Sequence, residues 1–324
     1  LNARENFLET AERRNSVLRL ARLINYNAKR NTPATGLLKF NTIATTENIQ
    51  DSAGTPLGNV TVVWNDPVNA NYREQFTTIL NAVNVSGQTF GKPQEADTIG
   101  NIKTEIYTSN SNNTDLPVFS FRKDVSGVER QFEIVPATIT NSESIYESTP
   151  IPGGGFSYVY RTDGAGDSSN NTGFFALFKQ GALQNTEFTV TNTTTNYIQS
   201  LATQNINNSD VWLYGLDDFG QVQNLWEKVS TTSGNNAIYN SLASDIRNIY
   251  NVITKANDTV DLVFGDGNFS NLPSGRFRSY YRVSDNATRK STAKLLLTKQ
   301  NDHCRRLQCC TFDSFTRYCK SKSS

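Results

Sequence analysis

The chain has 324 residues, of which 36% are hydrophobic and 19% are charged, and its formal net charge is +1. That length accommodates about two domains. The near-zero charge, together with 18 Phe, 13 Tyr and 3 Trp, excludes the charge-rich, aromatic-poor composition of a disordered chain. It also gives no electrostatic basis for binding nucleic acid or an acidic membrane surface. We therefore expect a folded, β-rich protein with polar loops.

Targeting signals are missing from the sequence. No segment approaches the ~18 apolar residues of a spanning helix, and no secretion signal opens the chain. We therefore expect no membrane partner and assembly in a cytoplasm. The sequence contains no Met and begins with Leu1, which predicts that it is an internal piece of a longer protein.

Residues 1–36 are predicted to be a helical segment, with a helix from Asn2 to Asn25. Asn2 is a good N-cap, and Glu5 follows three residues later, as in a capping box. An apolar stripe follows at helical spacing: Val17, Leu20, Ala21 and Ile24. The stripe favours ordinary core packing over docking on a partner subunit, and both interpretations stay open.

Residues 37–149 are predicted to form a β domain of short strands and polar turns. The clearest strand patterns are residues 59–64, 117–121 and 130–135. Pro150, Pro152 and the glycines at 153–155 then interrupt the pattern. We expect a domain boundary near residue 150.

A second β-rich domain or insertion is predicted for residues 150–235. Strands at Phe156–Arg161 and Gly173–Phe178 enclose a glycine-rich polar loop. Short strands between Asp210 and Trp226 bracket the residues 217–220. The whole fold is therefore predicted to be α+β but predominantly β, with an N-terminal helix, small antiparallel β domains and long polar loops.

Residues 236–284 carry the most informative pattern. Val260, Leu262 and Phe264 alternate with more polar neighbours, which is typical of a half-buried strand. A turn and a short loop should follow, since glycines permit positive φ angles, an aspartate can bond its own backbone, and proline and glycine end the segment. The predicted structural turn residues are Gly265, Asp266, Gly267, Pro273 and Gly275.

The segment after the turn alternates basic and aromatic residues along one predicted strand. Such a mixture suits nucleic acid or a protein interface, where Tyr and Arg are over-represented. The net charge of +1 favours a protein interface. The candidate interface residues are Arg276, Arg278, Tyr280, Tyr281 and Arg282.

The FGDG turn, the Pro-x-Gly loop and the following strand resemble baseplate J-like proteins, a family that includes wedge subunits of T-even-type contractile-tailed bacteriophages. Two weaker resemblances lie upstream in the same order. One is the Leu20-Ala21 helix followed by Pro33-Ala34, and the other is the Phe156–Phe178 strand-loop-strand.

The resemblance implies a structural virion protein and not an enzyme. It implies a homodimer that associates with other baseplate wedge proteins, builds the inner ring around the tail hub and supports baseplate assembly and sheath contraction. Such a subunit would be assembled in the host cytoplasm and located in the tail baseplate. It implies no cofactor, no metal, no nucleic acid and no small-molecule substrate.

The sequence gives little evidence for catalytic residues. The chain's one histidine, His303, lies far from the strand patterns, so a Ser-His or Cys-His triad is not expected. Two acidic pairs could serve a glycosidase, Glu129 with Glu133 and Asp217 with Asp218, but surface charge is the favoured interpretation of both. The loop from Asp163 to Asn170 resembles a calcium loop only loosely, since it lacks the regular ligand spacing.

Residues 285–324 differ in amino-acid composition from the rest of the chain. His303, Cys304, Cys309, Cys310 and Cys319 follow 302 residues without histidine or cysteine. Three interpretations are a zinc site, a disulfide cluster and translation in a shifted frame. The abrupt change of composition favours the shifted frame, so we expect a disordered tail.

Two other function classes stay open. A virion β-protein that binds host-surface carbohydrate would use exposed aromatic residues, for which Trp64, Trp212 and Trp226 are eligible. A peptidoglycan hydrolase domain is a further alternative, against which the lone histidine argues.

Overall fold

The structure is a computed structural model of the chain. It describes residues 11–23, 33–44, 49–50, 53–58, 61–63, 74–76, 83–84, 92–99, 102–109, 116–125, 127–139, 144–230, 232, 247–255, 258–268 and 270–284. These residues form a predominantly β structure built of antiparallel sheets, as the sequence predicts, with one short parallel contact.

Among the described residues, a helix precedes a series of strands. Helix α1 is Arg14–Leu23. The strands are β1 (Thr35–Phe40), β2 (Thr42–Ala44), β3 (Ile49–Gln50), β4 (Pro56–Gly58), β5 (Thr61–Val63), β6 (Val83–Asn84), β7 (Lys92–Ile99), β8 (Ile102–Ser109), β9 (Phe119–Asp124), β10 (Glu129–Ile134), β11 (Ala137–Ile139), β12 (Ile145–Glu147), β13 (Phe156–Thr162), β14 (Gly173–Gln180), β15 (Ala182–Val190), β16 (Ile198–Leu201), β17 (Ile206–Leu216), β18 (Val222–Lys228), β19 (Ile249–Thr254), β20 (Val260–Phe264) and β21 (Gly275–Val283).

The predicted N-terminal helix is present over part of its length. Its described part is α1, whereas Asn2, Glu5 and Ile24 lie outside the described residues. Ala21 is buried, as the apolar stripe predicts, and Val17 and Leu20 are half-buried. Because these buried and half-buried residues lie on one face of the helix, α1 is an amphipathic helix.

The described residues divide into two compact units. The first unit lies within Ala34–Gln180, and its main sheet has the order β7-β8-β13-β14-β10-β9, with β1 also paired to β14. Its centre is β14, where residues 174–178 are all buried. A continuous apolar run of this kind fits a strand that is covered on both faces.

The boundary between the units lies at residues 180 and 181, not near residue 150. The reason is hydrogen bonding: β13 pairs with β8, and β14 pairs with β1, β10 and β13. The Pro-Gly segment at 150–155 is therefore a turn inside the first unit, where the N–H of Gly154 donates to the carbonyl of Ile151 at 3.0 Å.

The second unit lies within Gly181–Asn286 and includes the described residues of Leu1–Pro33. Its sheet has seven strands in the order β15-β21-β17-β18-β19-β20-β16. Strands β15 to β18, from the predicted 150–235 domain, thus share one sheet with β19 to β21, from the predicted 236–284 segment. Every neighbouring pair is antiparallel except β18 and β19, which pair in parallel over two residues.

Aromatic side chains fill the core of the second unit. The rings of Trp226, Phe264 and Phe277 meet edge to face, with centroids 5.2–5.8 Å apart. Phe188 stacks on Phe277 at 5.3 Å. Contacts at these separations add to the stabilisation that apolar burial provides. The tail that the sequence predicts to be disordered, residues 285–324, lies outside the described residues.

Replacing Phe277 with alanine should lower the free energy of unfolding of the second unit by about 3–5 kcal/mol, because it opens a cavity beside two other rings. Phe219, which is 89% exposed on the β17–β18 hairpin, is the matched control. Phe219→Ala should cost under about 0.5 kcal/mol. Urea denaturation followed by tryptophan fluorescence measures both; equal losses would contradict this core assignment.

Candidate functional site: the FGDG turn and the strand after it

Strand β20 confirms the predicted alternation. Val260, Leu262 and Phe264 are fully buried, and Asp261 and Val263 between them are half-buried. The carboxylate of Asp261 accepts a hydrogen bond from the Ser200 hydroxyl at 2.6 Å and lies 2.9 Å from the Lys255 ammonium. The polar side of β20 is thus tied to its neighbouring strands.

The turn after β20 is built largely as predicted. Asp266 Oδ1 accepts the backbone N–H of Asn268 at 3.0 Å, which is an Asx turn. Gly267 has φ of 85°, a conformation that disfavours side chains. Pro273 is buried, and Gly275 has φ of 85° at the start of β21.

Gly265 is needed for a different reason from the one predicted. It is not among the residues with positive φ. A Cβ at this position would instead collide with the hydroxyl and Cβ of Ser270, which is 2% exposed. The carbonyl of Gly265 also accepts the N–H of Asn196 at 2.9 Å. Close approach of the Ser270 side chain, and not a left-handed φ, therefore requires glycine here.

The loop that follows is fixed to the start of β19. The backbone N–H of Asn271 donates to the carbonyl of Arg247 at 2.8 Å, and the Asn271 amide donates to Asn248 Oδ1 at 2.8 Å. The Arg247 guanidinium donates to the carbonyl of Asn268 at 3.0 Å. These bonds hold the loop in one conformation, so β20 and β21 are joined by a fixed connection.

Strand β21 does not present the predicted interface as a whole. It lies between β15 and β17, so both of its edges are paired. Tyr280, Tyr281 and Arg282 are all at most 2% exposed, which removes them from the surface. Arg276 and Arg278 keep partial exposure. The prediction was wrong for the three buried residues because sequence alternation does not reveal which strands lie in the middle of a sheet.

Arg282 is a fully buried charge with an acidic partner. Its guanidinium lies 3.4 Å from the carboxylate of Asp210, which is buried as well, and 6.0 Å from the Trp212 ring centre. A carboxylate and an aromatic face both stabilise a guanidinium that has left water. The pair therefore links β21 to β17 through a desolvated contact.

Arg276 and Arg278 form an ion-pair cluster with Glu187 of β15. Arg278 approaches Glu187 Oε1 at 2.6 Å, and Arg276 approaches Oε2 at 3.2 Å. The hydrogen bond from Arg278 is the main cause that holds the pKa of Glu187 below its usual value. Arg276 also donates to the carbonyl of Asp218 at 3.2 Å. This cluster joins β15, β21 and the turn after β17 on the partly exposed face.

The two tyrosines of β21 contact different neighbours, because successive side chains of a strand point to opposite faces of the sheet. Tyr281 Oη lies 2.8 Å from Thr186 Oγ1 and 2.9 Å from Thr203 Oγ1. Tyr280 packs edge to face against Tyr214, with ring centres 6.0 Å apart. Burial raises the pKa of the Tyr214 hydroxyl well above its usual value, so that side chain stays neutral. Both tyrosines are therefore structural.

Sequence reasoning missed Glu187, Asp210 and Ser270, the partners of the residues it selected. Each partner follows from strand register or loop closure, since Glu187 is directly opposite Arg278 in the β15–β21 ladder. No local pattern gives that register. The run of four polar residues at 184–187 is the one signal in the sequence that indicates an exposed segment there.

The loop at Asp163 is closed by its own hydrogen bonds. Asp163 accepts bonds from the Ser169 hydroxyl at 2.6 Å, the Thr172 hydroxyl at 3.0 Å and the Ala165 N–H at 3.0 Å. The bond from Ser169 contributes most to lowering the pKa of Asp163 to about 2. The carboxylate therefore acts as the internal acceptor of a surface loop.

The acidic residues that were candidates for catalysis lie in an ion pair, in the interior or in a turn. Glu129 pairs with Arg122 at 3.4 Å on the surface, and Glu133 is buried. Asp217 accepts the N–H groups of Phe219 and Gln221 at 2.9 and 2.8 Å, which caps the β17–β18 turn. The neighbouring Asp218 is exposed.

The tryptophans proposed for carbohydrate binding are not an exposed set. Trp226 is 5% exposed and lies in the core, and Trp212 is half-buried beside Arg282. Trp64 lies outside the described residues. Neither of the two described tryptophans is therefore an exposed aromatic residue of the kind that the carbohydrate-binding alternative needs.

Within the described parts of the chain, no group of three or more His, Cys, Asp or Glu side chains is arranged to hold a metal ion. The helices of those same parts fall short of the length and apolarity needed to cross a membrane. His303 and the four cysteines lie outside the described residues.

Comparison with known proteins identifies a family. A family profile described as domain of unknown function DUF8360 matches residues 36–299, which spans the turn and both of its strands. The chain belongs to this family. No curated protein matches it. Because the DUF8360 description names no activity, the resemblance to baseplate J-like proteins stays a prediction.

Replacing Gly265 with alanine should lower the free energy of unfolding by about 1–3 kcal/mol, because the new methyl overpacks against Ser270. Adding Ser270→Gly should recover much of that loss. Gly275→Ala is the matched control, since open space surrounds Gly275 and its penalty arises from φ. Urea denaturation should show no rescue of Gly275→Ala by Ser270→Gly; equal rescue would refute the close-approach explanation.

Replacing Arg282 with methionine should cost about 3–5 kcal/mol, because it leaves the buried Asp210 carboxylate without its cation. Arg276→Met, at a partly exposed pair, should cost no more than about 1 kcal/mol. Thermal and urea unfolding of the two variants give the comparison. Similar losses for both would show that Arg282 contributes only as a surface charge does.

Proposed function

We propose that the chain is a structural subunit of the baseplate of a contractile phage tail. In this proposal it forms the wedge and inner ring through contacts with copies of itself and with other wedge proteins, and it supports baseplate assembly and sheath contraction. It is assembled in the host cytoplasm, resides in the virion and performs no catalysis. The helix ahead of the β units completes an α+β arrangement of the kind the resemblance implies.

The observation that carries the proposal is the connection between β20 and β21. The FGDG residues and the Pro-x-Gly loop are the positions on which the resemblance depends. Gly265, Gly267 and Gly275 each have a physical requirement for glycine in this fold. The resemblance therefore involves residues that determine backbone geometry, and such residues suit a rigid building block.

The chemistry of the site is compatible with a scaffold. Its charged groups, Arg282 with Asp210 and Arg276 with Glu187, are engaged with one another across strands. Paired charges of this kind fix the relative positions of strands and do not require a substrate. The half-exposed cluster around Glu187 leaves polar groups at the surface, where subunits of an assembly contact each other.

Location in the particle tests the proposal. A tagged full-length chain supplied during infection by the phage that encodes it should be incorporated into tails, and gold particles directed to the tag should lie at the end of the sheath distal to the head. Infection with the untagged chain controls for non-specific gold. Labelling of the capsid or the tail tube, or exclusion of the chain from particles, would refute the proposal.

A further inference from the structure

Two carboxylates and one ammonium lie together inside the first unit. The Nζ atom of Lys179, on β14, lies 2.5 Å from Oε2 of Glu147 on β12, and the two side chains are 15% and 5% exposed. Glu133 of β10 is directly opposite Lys179 in the β10–β14 ladder and is 1% exposed. Opposed residues of antiparallel strands lie on one face of the sheet, with Cβ atoms about 4.5–5.5 Å apart. All three charged groups therefore share one site.

Apolar side chains flank this site. The backbone N–H of Val135 donates to the carbonyl of Leu177 at 3.1 Å, which continues the β10–β14 ladder beyond Ile134. Val135 is two positions from Glu133, and Leu177 is two positions from Lys179, so each pair faces the same side of the sheet. Val135 is 0% and Leu177 is 5% exposed. The charged groups therefore lie beside apolar surface and are largely removed from water.

The Lys179–Glu147 pair has both the material and the placement for an amide bond. An ammonium and a carboxylate contain the atoms of one amide and one water molecule, and their charges cancel in that product. Two charges that have lost their hydration are costly, and an amide removes both of them. Groups that are held in contact react with effective concentrations of about 10⁵–10⁸ M. Burial and fixed position therefore both favour condensation here.

We infer that Lys179 and Glu147 join through an isopeptide bond, and that Glu133 relays a proton during its formation. The Glu133 carboxylate takes a proton from the Lys179 ammonium, and the neutral amine attacks Cδ of Glu147. The Nζ–Cδ bond forms and one Cδ–O bond breaks. The departing oxygen leaves as water with the two protons that Nζ has lost, one of which Glu133 returns. The step needs no oxidant or reductant, and Glu133 ends as the carboxylate it was.

An exposed ion pair of the second unit offers a contrast. Lys255 Nζ lies 2.9 Å from Asp261 Oδ1, but the Lys255 side chain is 43% exposed, so water hydrates the ammonium. The same Nζ donates to the Ser200 hydroxyl at 3.1 Å, and a hydroxyl is a poor base beside a carboxylate. This pair has contact without burial and without a second carboxylate opposite the lysine, so it should stay ionic.

The bond ties the β11–β12 hairpin to the strand at the centre of the first unit. Strand β12 pairs with β11, whereas β14 pairs with β1, β10 and β13. A covalent link between them holds the hairpin in place when the unit is pulled. The reaction occurs once in each molecule and turns over no substrate. The inference goes beyond the proposed function and does not depend on it, since its test needs only the purified chain.

Mass spectrometry of the purified, folded full-length chain tests the bond. The chain should be lighter than its sequence by one water molecule, and a digest should contain a branched peptide in which Lys179 is acylated by Glu147. Lys255 and Asp261 in the same digest are the matched control and should be unmodified. Peptides with unlinked Lys179 and Glu147, or a loss of water confined to another site such as Asp266-Gly267, would overturn the inference.

Two variants separate the chemistry from the fold. Lys179→Arg keeps the positive charge but has no amine to acylate, so it should have its full mass and should migrate more slowly than the looped parent in denaturing electrophoresis. Glu133→Gln should slow the loss of water after cell-free synthesis by about a hundredfold or more. Circular dichroism spectra like that of the parent show that the variants fold. A water loss that persists in Lys179→Arg, or a parental rate in folded Glu133→Gln, would contradict the assigned roles, and the digest of the parent decides the bond itself.

Discussion

The hydrogen-bonded position of β21 between β15 and β17 is the constraint on which the second unit depends. Because side chains alternate along a strand, this position sends Phe277 and Tyr281 to the aromatic core and Arg276 and Arg278 to the opposite face. Arg282 lies on that opposite face but is fully buried. Its burial requires an internal anion, which Asp210 supplies.

The FGDG turn matters because it determines how β21 enters the sheet. Phe264 ends β20, Phe277 lies near the start of β21, and their rings meet 5.8 Å apart. The loop between them is bonded to Arg247 and Asn248 at the start of β19. A change in turn geometry would therefore displace the aromatic core and the ion pairs together. Hydrogen bonds therefore fix the described part of this connection although it lies at the end of two strands.

Local patterns in the sequence predict strands well and their neighbours poorly. The alternation of β20, the apolar run of β14 and the turn chemistry of Asp266 and Gly267 are local, so residue order suffices to predict them. The sequence predicts a domain boundary near residue 150, whereas the units divide after residue 180, because β14 pairs with β1 from a distant segment. The burial of Tyr280, the ion pair of Arg282 and the role of Gly265 depend likewise on contacts formed after the chain has folded.

The order of the strands in the second unit also has a consequence for biosynthesis. The partner of both β15 and β17 is β21, the last described strand, and the Thr186–Tyr281 bond joins residues 95 positions apart. While the ribosome is still translating the intervening segment, the strand that pairs with β15 in the described structure has not yet been made. Folding of this unit is therefore a late, long-range event, and its described sheet is completed only after β21 has left the ribosome.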